Sequence, residues 1–186
     1  MNRKKIIIII LVALLLLQQG IHMAKHNYQL GSDMYWSAQT TAGLCRELAD
    51  NIESMQERID DGEIEDIEIT SRSFDNIVVK SKREFGGDNV PIFNEVMSVY
   101  WEQIDDIFNQ IVNDPGNKRL LKLFTDEKES KDLAIFKEQL EFMYEALMEF
   151  WDRYNAMPNW KRYFVSWKGE REALTEKLRI PELQTP

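Results

Sequence analysis

Carboxylate side chains come closer than any others in this sequence to the spacing of a chemical site. If Glu57 is the first position of a calcium-binding loop, Gly62 falls at position 6 and Glu68 at position 12, as in an EF-hand. Position 3 is then Ile59, which cannot bind an ion and belongs to a row of apolar residues. We therefore interpret residues 60–68 as a solvated acidic turn, and the sequence predicts no metal site.

A second group of carboxylates recurs at helical spacing: Glu138, Glu141, Glu145 and Glu149. Residues three and four apart share one face of a helix, and grouped carboxylates can bind a metal or act as acid and base. This row lies beside an apolar stripe and has no histidine near it in the sequence. It is therefore interpreted as the solvated face of an amphipathic helix.

Histidine is confined to the start of the chain, at His22 and His26. The remaining sequence therefore lacks the residues for Ser-His-Asp or Cys-His catalysis, for the usual zinc sites and for a Glu-x-x-His di-iron motif. It also contains no glycine-rich phosphate loop and no dinucleotide fingerprint. We predict no catalytic residues and no cofactor, with a carboxylate-dependent enzyme as the less favoured alternative.

Residues 160–171 (WKRYFVSWKGER) combine aromatic and basic side chains within an otherwise acidic sequence. As one helix, this segment would place its aromatic residues on one face and its basic residues toward the others. The favoured interpretation is a core helix whose cations pair with acidic neighbours. The alternative is a partner-binding or membrane-surface patch, comprising Trp160, Lys161, Arg162, Tyr163, Phe164, Trp167 and Lys168.

A run of twelve apolar residues, Ile6 to Leu17, predicts that the protein is located at a membrane. Twelve helical residues rise only about 18 Å, less than the roughly 30 Å hydrocarbon core of a bilayer. Extension to Met23 reaches about 27 Å and includes Gln18 and Gln19. These two glutamines either face a neighbouring helix or mark the end of a short membrane span.

The flanking residues favour an anchor that is retained. No good pair of small residues for signal cleavage follows the run, so we predict an uncleaved signal-anchor, with a cleaved signal peptide as the alternative. Basic residues 3–5 precede the run, whereas Lys25 alone follows it closely. This bias predicts a cytoplasmic N-terminus and an extracytoplasmic domain at the cell membrane.

Charge and cysteine content limit the partners of the domain. Beyond residue 25 the chain has 19 Lys and Arg against 32 Asp and Glu, a formal charge of −13. Such an acidic surface disfavours nucleic acid, whose phosphates require cations. Cys45 is the single cysteine, which excludes an intramolecular disulfide and is interpreted as a small buried side chain.

The apolar pattern beyond the anchor predicts an all-α fold. Apolar residues at an alternating spacing of three and four predict a coiled-coil-like seam on one helix: Cys45, Leu48, Ile52, Met55 and Ile59. Gly31 and Gly43 are weak points of that helix. Further helices are expected over 71–85, 91–111, 117–124, 133–157 and 160–178, with a charged bridge over 126–132. A β-hairpin through 64–69 and 77–80 is the alternative for the second region.

The predicted architecture is a single transmembrane helix followed by a bundle-like domain of four or five helices. Its predicted segments are a cytoplasmic tail over 1–5, a signal-anchor over 6–24, a juxtamembrane connector over 25–36, an acidic helical domain over 37–180 and a C-terminal tail over 181–186. The predicted function is protein–protein interaction as an accessory subunit or scaffold. The predicted partners are the lipid bilayer and another membrane or envelope protein, or a second copy through the seam. A ligand-binding or sensory domain acting through a partner is the alternative.

Overall fold

A computed structural model describes residues 3–62 and 118–178 of this chain, with side chains over 6–62 and 121–178. All secondary structure in those residues is helical, which confirms the predicted all-α class. The helices are α1 (Arg3–Asp60), α2 (Lys118–Thr125), α3 (Glu127–Ala156), α4 (Asn159–Arg162) and α5 (Trp167–Leu178). The helices predicted over 71–85 and 91–111, the hairpin alternative and the tail over 181–186 lie outside the described residues.

Helix α1 joins the apolar N-terminal run to the domain without interruption over 58 residues, a length of roughly 87 Å. Residues 25–36, expected as a connector, form an internal part of this helix, and neither Gly31 nor Gly43 breaks it. The helix ends at Asp60, where Gly62 takes a left-handed conformation with φ of 74°. Glycine is the residue that adopts this C-terminal geometry at least cost.

Helix α3 starts earlier than the apolar pattern indicated. Asp126 caps it by accepting hydrogen bonds from the backbone N–H groups of Lys128 at 3.1 Å and Glu129 at 3.2 Å. The charged bridge expected over 126–132 is therefore wrong beyond its first residue, because the cap extends the helix through polar residues that face solvent. The helix ends just before Pro158, which cannot continue it.

Helices α1 and α3 pack antiparallel and form the centre of the core. Lys137, near the start of α3, lies 3.2 Å from Glu53, near the end of α1. Trp151, near the end of α3, has its ring 6.0 Å from that of Tyr35, earlier in α1. The apolar stripe of α3 faces α1 and is buried at Phe136, Leu140, Met143, Leu147 and Phe150. Complete burial of each such side chain contributes about 1.5–3 kcal/mol before entropy is counted.

The predicted seam of α1 lies in this core. Cys45, Leu48, Ile52 and Met55 are buried, and Ile59 is half-buried against the same cluster. The helix they associate with is α3 of the same chain. In this arrangement the seam presents no free apolar face to a second copy.

Helix α5 closes one end of the α1–α3 pair by contacting both helices. Leu174 and Leu178 add to the core. Two ion pairs fasten it to α3: Arg153 with Glu170 at 3.3 Å and Lys177 with Glu149. This position brings the start of α5 beside the part of α1 that follows the apolar run.

Candidate functional site

The glutamate row of α3 is a solvated, ion-paired surface. Glu141 lies 3.6 Å from Lys137, Glu149 pairs with Lys177, and Glu138 and Glu145 are exposed. A hydrogen bond from Lys177 lowers the pKa of Glu149 below its usual value, the opposite of what a general acid requires. Among the described residues, no group of three or more metal-ligating side chains comes together.

Cys45 has the environment of a structural thiol. It is fully buried in the α1–α3 core, and burial raises its pKa to about 12, despite a smaller opposing effect of a backbone hydrogen bond. The thiolate is the nucleophilic form of cysteine, so this side chain stays protonated and unreactive at neutral pH.

The aromatic and basic segment 160–171 does not form the single helix that its spacing predicted. Helix α4 ends at Arg162, and α5 begins only at Trp167. The indole N–H of Trp167 donates to the Arg162 carbonyl at 2.7 Å, and Ser166 lies at the start of the new helix. A serine in this position is a common helix N-cap and was the sequence signal for a break.

The break separates the predicted patch into inward and outward groups. Trp167 is only 1% exposed and belongs to the core, whereas Trp160 is 68% and Phe164 78% exposed. The expectation that these aromatic side chains share one helix face is therefore wrong. A turn between two short helices points them in different directions.

Arg162 also turns inward, away from the surface part of the patch. Its guanidinium lies 4.2 Å from the centre of the Tyr154 ring, and its Nε donates to the Met157 carbonyl at 3.1 Å. Burial raises the pKa of Tyr154 and outweighs the opposing effect of Arg162. The cationic groups left on the surface of this region are Lys161, Lys168 and Arg171.

The turn is fastened to α1 directly after the apolar run. We define residues 159–165 as the aromatic loop. The Asn27 side-chain amide donates to the carbonyls of Tyr163 at 3.1 Å and Val165 at 2.6 Å. The rings of Tyr28 and Tyr163 stack with centroids 4.5 Å apart, so consecutive residues of α1 position the loop.

Gly31 completes this attachment by allowing Trp167 to lie against the backbone of α1. A Cβ atom at Gly31 would lie 2.4 Å from Cε2 of the Trp167 ring, closer than nonbonded atoms approach. Helix propensity predicts Gly31 only as a weak point of the helix, and no sequence pattern indicates Asn27. Their partners lie far along the chain, so no local pattern marked either residue.

A groove of about 830 Å³ lies between α1 and the aromatic loop. Apolar walls are contributed by Met23, Ala24 and Leu30 from α1 and by Phe164 from the loop, and charged groups line the groove as well, at Lys168, Arg171 and Glu172. Apolar walls with nearby cations suit an amphiphile with an anionic head group. We call these groove residues, together with Trp160 and Lys161, the junction surface.

Helix α1 is the one helix in the described ranges that is long and apolar enough to cross a membrane. Every residue from Ile6 to Met23 is exposed, including Leu17, Gln18 and Gln19. The first buried position of α1 is Gly31, so the apolar run extends away from the packed helices. Comparison of the chain with protein-family models, curated proteins and solved structures finds no match.

Proposed function

We propose that this chain is a non-enzymatic, single-span membrane protein whose helical domain binds another protein at the membrane surface, as an accessory subunit or scaffold. The signal-anchor is retained, the N-terminus is cytoplasmic and the domain is extracytoplasmic. The observation that carries the proposal is the continuity of α1 from Arg3 to Asp60. One helix supplies both an exposed apolar segment and nine of the 22 buried apolar residues in the described part of the chain.

This continuity has a mechanical consequence. Because α1 does not break between Met23 and Gly31, the domain is held at a fixed distance from the end of the apolar segment. A flexible linker would let the domain sample many positions, whereas a rigid helix presents the same surface at the same height. Confinement near the membrane raises the effective concentration of the domain for a partner in the same membrane.

Two exposed aromatic side chains away from the junction surface support a protein partner. Trp36 on α1 is 60% exposed and Phe142 on α3 is 41% exposed. Large aromatic residues dominate the energetics of protein interfaces when they fill a pocket in the partner. Glutamates surround Phe142 on α3, so the partner surface would carry basic groups around an apolar pocket.

Membrane retention is the first test. The intact protein should resist alkaline carbonate extraction of membranes, and its isolated N-terminus should begin upstream of Ile6. A mature N-terminus beyond Met23, with the protein released by carbonate, would contradict the anchored state. Protease added outside intact cells should digest the domain, and a protected domain would contradict its extracytoplasmic position.

Partner binding is tested with a photo-crosslinking amino acid at Phe142 or Trp36 of the full chain in living cells. We expect one discrete crosslinked protein that copurifies from membranes. The matched control carries the same group at Asp132, an exposed residue of α3 nearly three turns before Phe142. Equal crosslinking at Asp132, or none at either aromatic position, would contradict a specific interface there.

A further inference from the structure

We infer that the junction surface is a second membrane contact, in which Trp160 and Phe164 enter the lipid interface and Lys168 and Arg171 bind phospholipid phosphates. This inference rests on the proposed membrane anchoring. It goes beyond that proposal by giving the domain a fixed height and a lipid ligand.

The position of the loop along α1 is the first argument. The groove that Phe164 lines also includes Gly20 and Met23, which form the last turn of the candidate span. Asn27, which holds the loop, lies four residues beyond Met23, an axial distance of about 6 Å. With residues 6–23 in the hydrocarbon core, Phe164 therefore lies at the boundary between hydrocarbon and head groups.

The chemistry of the exposed side chains is the second argument. Trp160 and Phe164 are the most exposed aromatic residues of the described chain outside the apolar run. Tryptophan favours the membrane–water interface, because its ring is apolar while its indole N–H can still donate a hydrogen bond. Neither ring is needed by the core, so their exposure has no structural cause within the described residues.

Charge is the third argument. Lys161 in the aromatic loop and Lys168 and Arg171 in α5 are exposed, and Lys168 lies 3.9 Å from Glu172, the acidic residue that lines the groove. At the opposite end of the helical domain, Glu127 pairs with Lys131 and Glu53 with Lys137, so this end carries both signs of charge. Lipid phosphates attract the exposed cations of the junction surface. These cations therefore favour contact of the junction surface with lipid head groups.

The location of the groove favours lipid over a protein ligand. Its α1 wall begins within the candidate span, so an occupant must reach the hydrocarbon boundary to fill it. A phospholipid does so without further assembly, with an acyl chain along Met23 and Ala24 and its phosphate near Arg171. A protein partner would have to supply both a membrane-embedded surface and an anionic group at this height.

The test uses the full chain in lipid nanodiscs that contain no other protein, with brominated acyl chains as the quencher of tryptophan fluorescence. We expect brominated lipid to reduce the emission of the wild-type protein. Trp160→Phe should lose most of this reduction. The matched control is Trp36→Phe, because Trp36 is also exposed but lies 13 residues beyond Met23, about 20 Å further along α1. This control should retain the full reduction.

A second variant tests the phosphate contact. Lys168→Gln combined with Arg171→Gln should diminish quenching of Trp160 in discs that contain anionic phospholipid, and added inorganic phosphate should not displace the contact. Reversal by free phosphate would show a soluble anion site and overturn the lipid assignment. Retained far-UV circular dichroism verifies folding, because both side chains are exposed.

Two further results would overturn the inference. One is quenching that is unchanged by Trp160→Phe. The other is a cysteine at position 164 (Phe164→Cys) that reacts freely with maleimide in discs but is protected in native membranes, which would show a protein occupant. Cleavage of the anchor in cells would contradict the proposed function, whereas the disc experiment on the uncleaved chain reports the lipid contact by itself.

Discussion

Gly31 is the residue on which the attachment of α5 to α1 depends most sharply. A methyl group there would overlap the Trp167 ring, since the nearest ring atom would be 2.4 Å away. Gly31→Ala should therefore lower the thermal unfolding midpoint. Gly43→Ala is the matched control, because nothing lies within 4 Å of its added Cβ. It should stabilise α1 by about 0.5–1 kcal/mol through helix propensity. Equal effects of the two substitutions would contradict the close approach.

Trp167 and Trp160 provide a second contrast between residues of one type. Trp167→Ala removes a fully buried ring and the hydrogen bond to Arg162, and it should cost about 3–5 kcal/mol of unfolding free energy. Trp160→Ala removes an exposed ring and should change stability by less than about 0.5 kcal/mol. Urea unfolding of both variants measures the difference. A large loss for Trp160→Ala would place it in the core instead.

Cys45 predicts a specific loss of stability at alkaline pH. Its pKa is raised from 9.0 to about 12 by burial, so the folded state holds the proton more tightly than the unfolded state. The resulting stabilisation is complete below pH 9 and is lost as the pH rises toward 12. Cys45→Ala should unfold with a weaker dependence on pH over that interval. Identical pH profiles for the two proteins, measured by urea unfolding, would refute a buried, protonated thiol.

At the scale of elements, the N-terminal cap of α3 gives a prediction in acid. Backbone hydrogen bonds to Asp126 lower its pKa, so this group stabilises the folded state above its unfolded pKa. This stabilisation is lost as the pH falls through the lower pKa that Asp126 has in the folded state. Asp126→Ala should reduce the unfolding midpoint at neutral pH. Asp126→Asn should retain much of the stabilisation by the cap, because both Asp and Asn cap helices well. In the Asn variant, the dependence of stability on acid pH should also weaken. If this dependence persists unchanged, another carboxylate is its cause.

Apolar periodicity in the sequence indicates α1 and α3, whereas it does not show the junction between α4 and α5, for which Ser166 gives only a local capping signal. A periodic row such as Cys45 to Met55 reports which face of a helix is buried. Periodicity cannot show that the chain turns between Arg162 and Trp167, because aromatic residues on both sides of the turn continue the same spacing. The contacts of Asn27 join residues 136 and 138 apart, and such pairings leave no local mark in the sequence.

At the scale of the whole molecule, one rigid helix determines both the height and the rotation of the domain. These two quantities can be varied separately, because the hydrogen bonds that hold the aromatic loop on α1 begin at Asn27, beyond the apolar run. Alanines inserted after Ala24 lengthen α1 without altering those contacts. Each inserted residue moves the domain by about 1.5 Å and rotates it by about 100° relative to the span.

A bilayer surrounds the span on all sides, so insertion of Trp160 into lipid depends on its height and tolerates rotation, even though the rotation moves Met23 and Ala24 out of the groove. One inserted alanine should therefore retain the bromolipid quenching of Trp160, since the loop moves by only about 1.5 Å. Seven alanines nearly restore the rotation but raise the loop by about 10 Å, and should abolish the quenching. A protein that binds both the span and the domain imposes the opposite dependence. Its crosslink at Phe142 should be lost with one alanine, which rotates the domain by about 100°, because seven alanines leave a net rotation of only about 20°. Quenching that followed rotation rather than height would show that the junction surface contacts a protein instead of lipid.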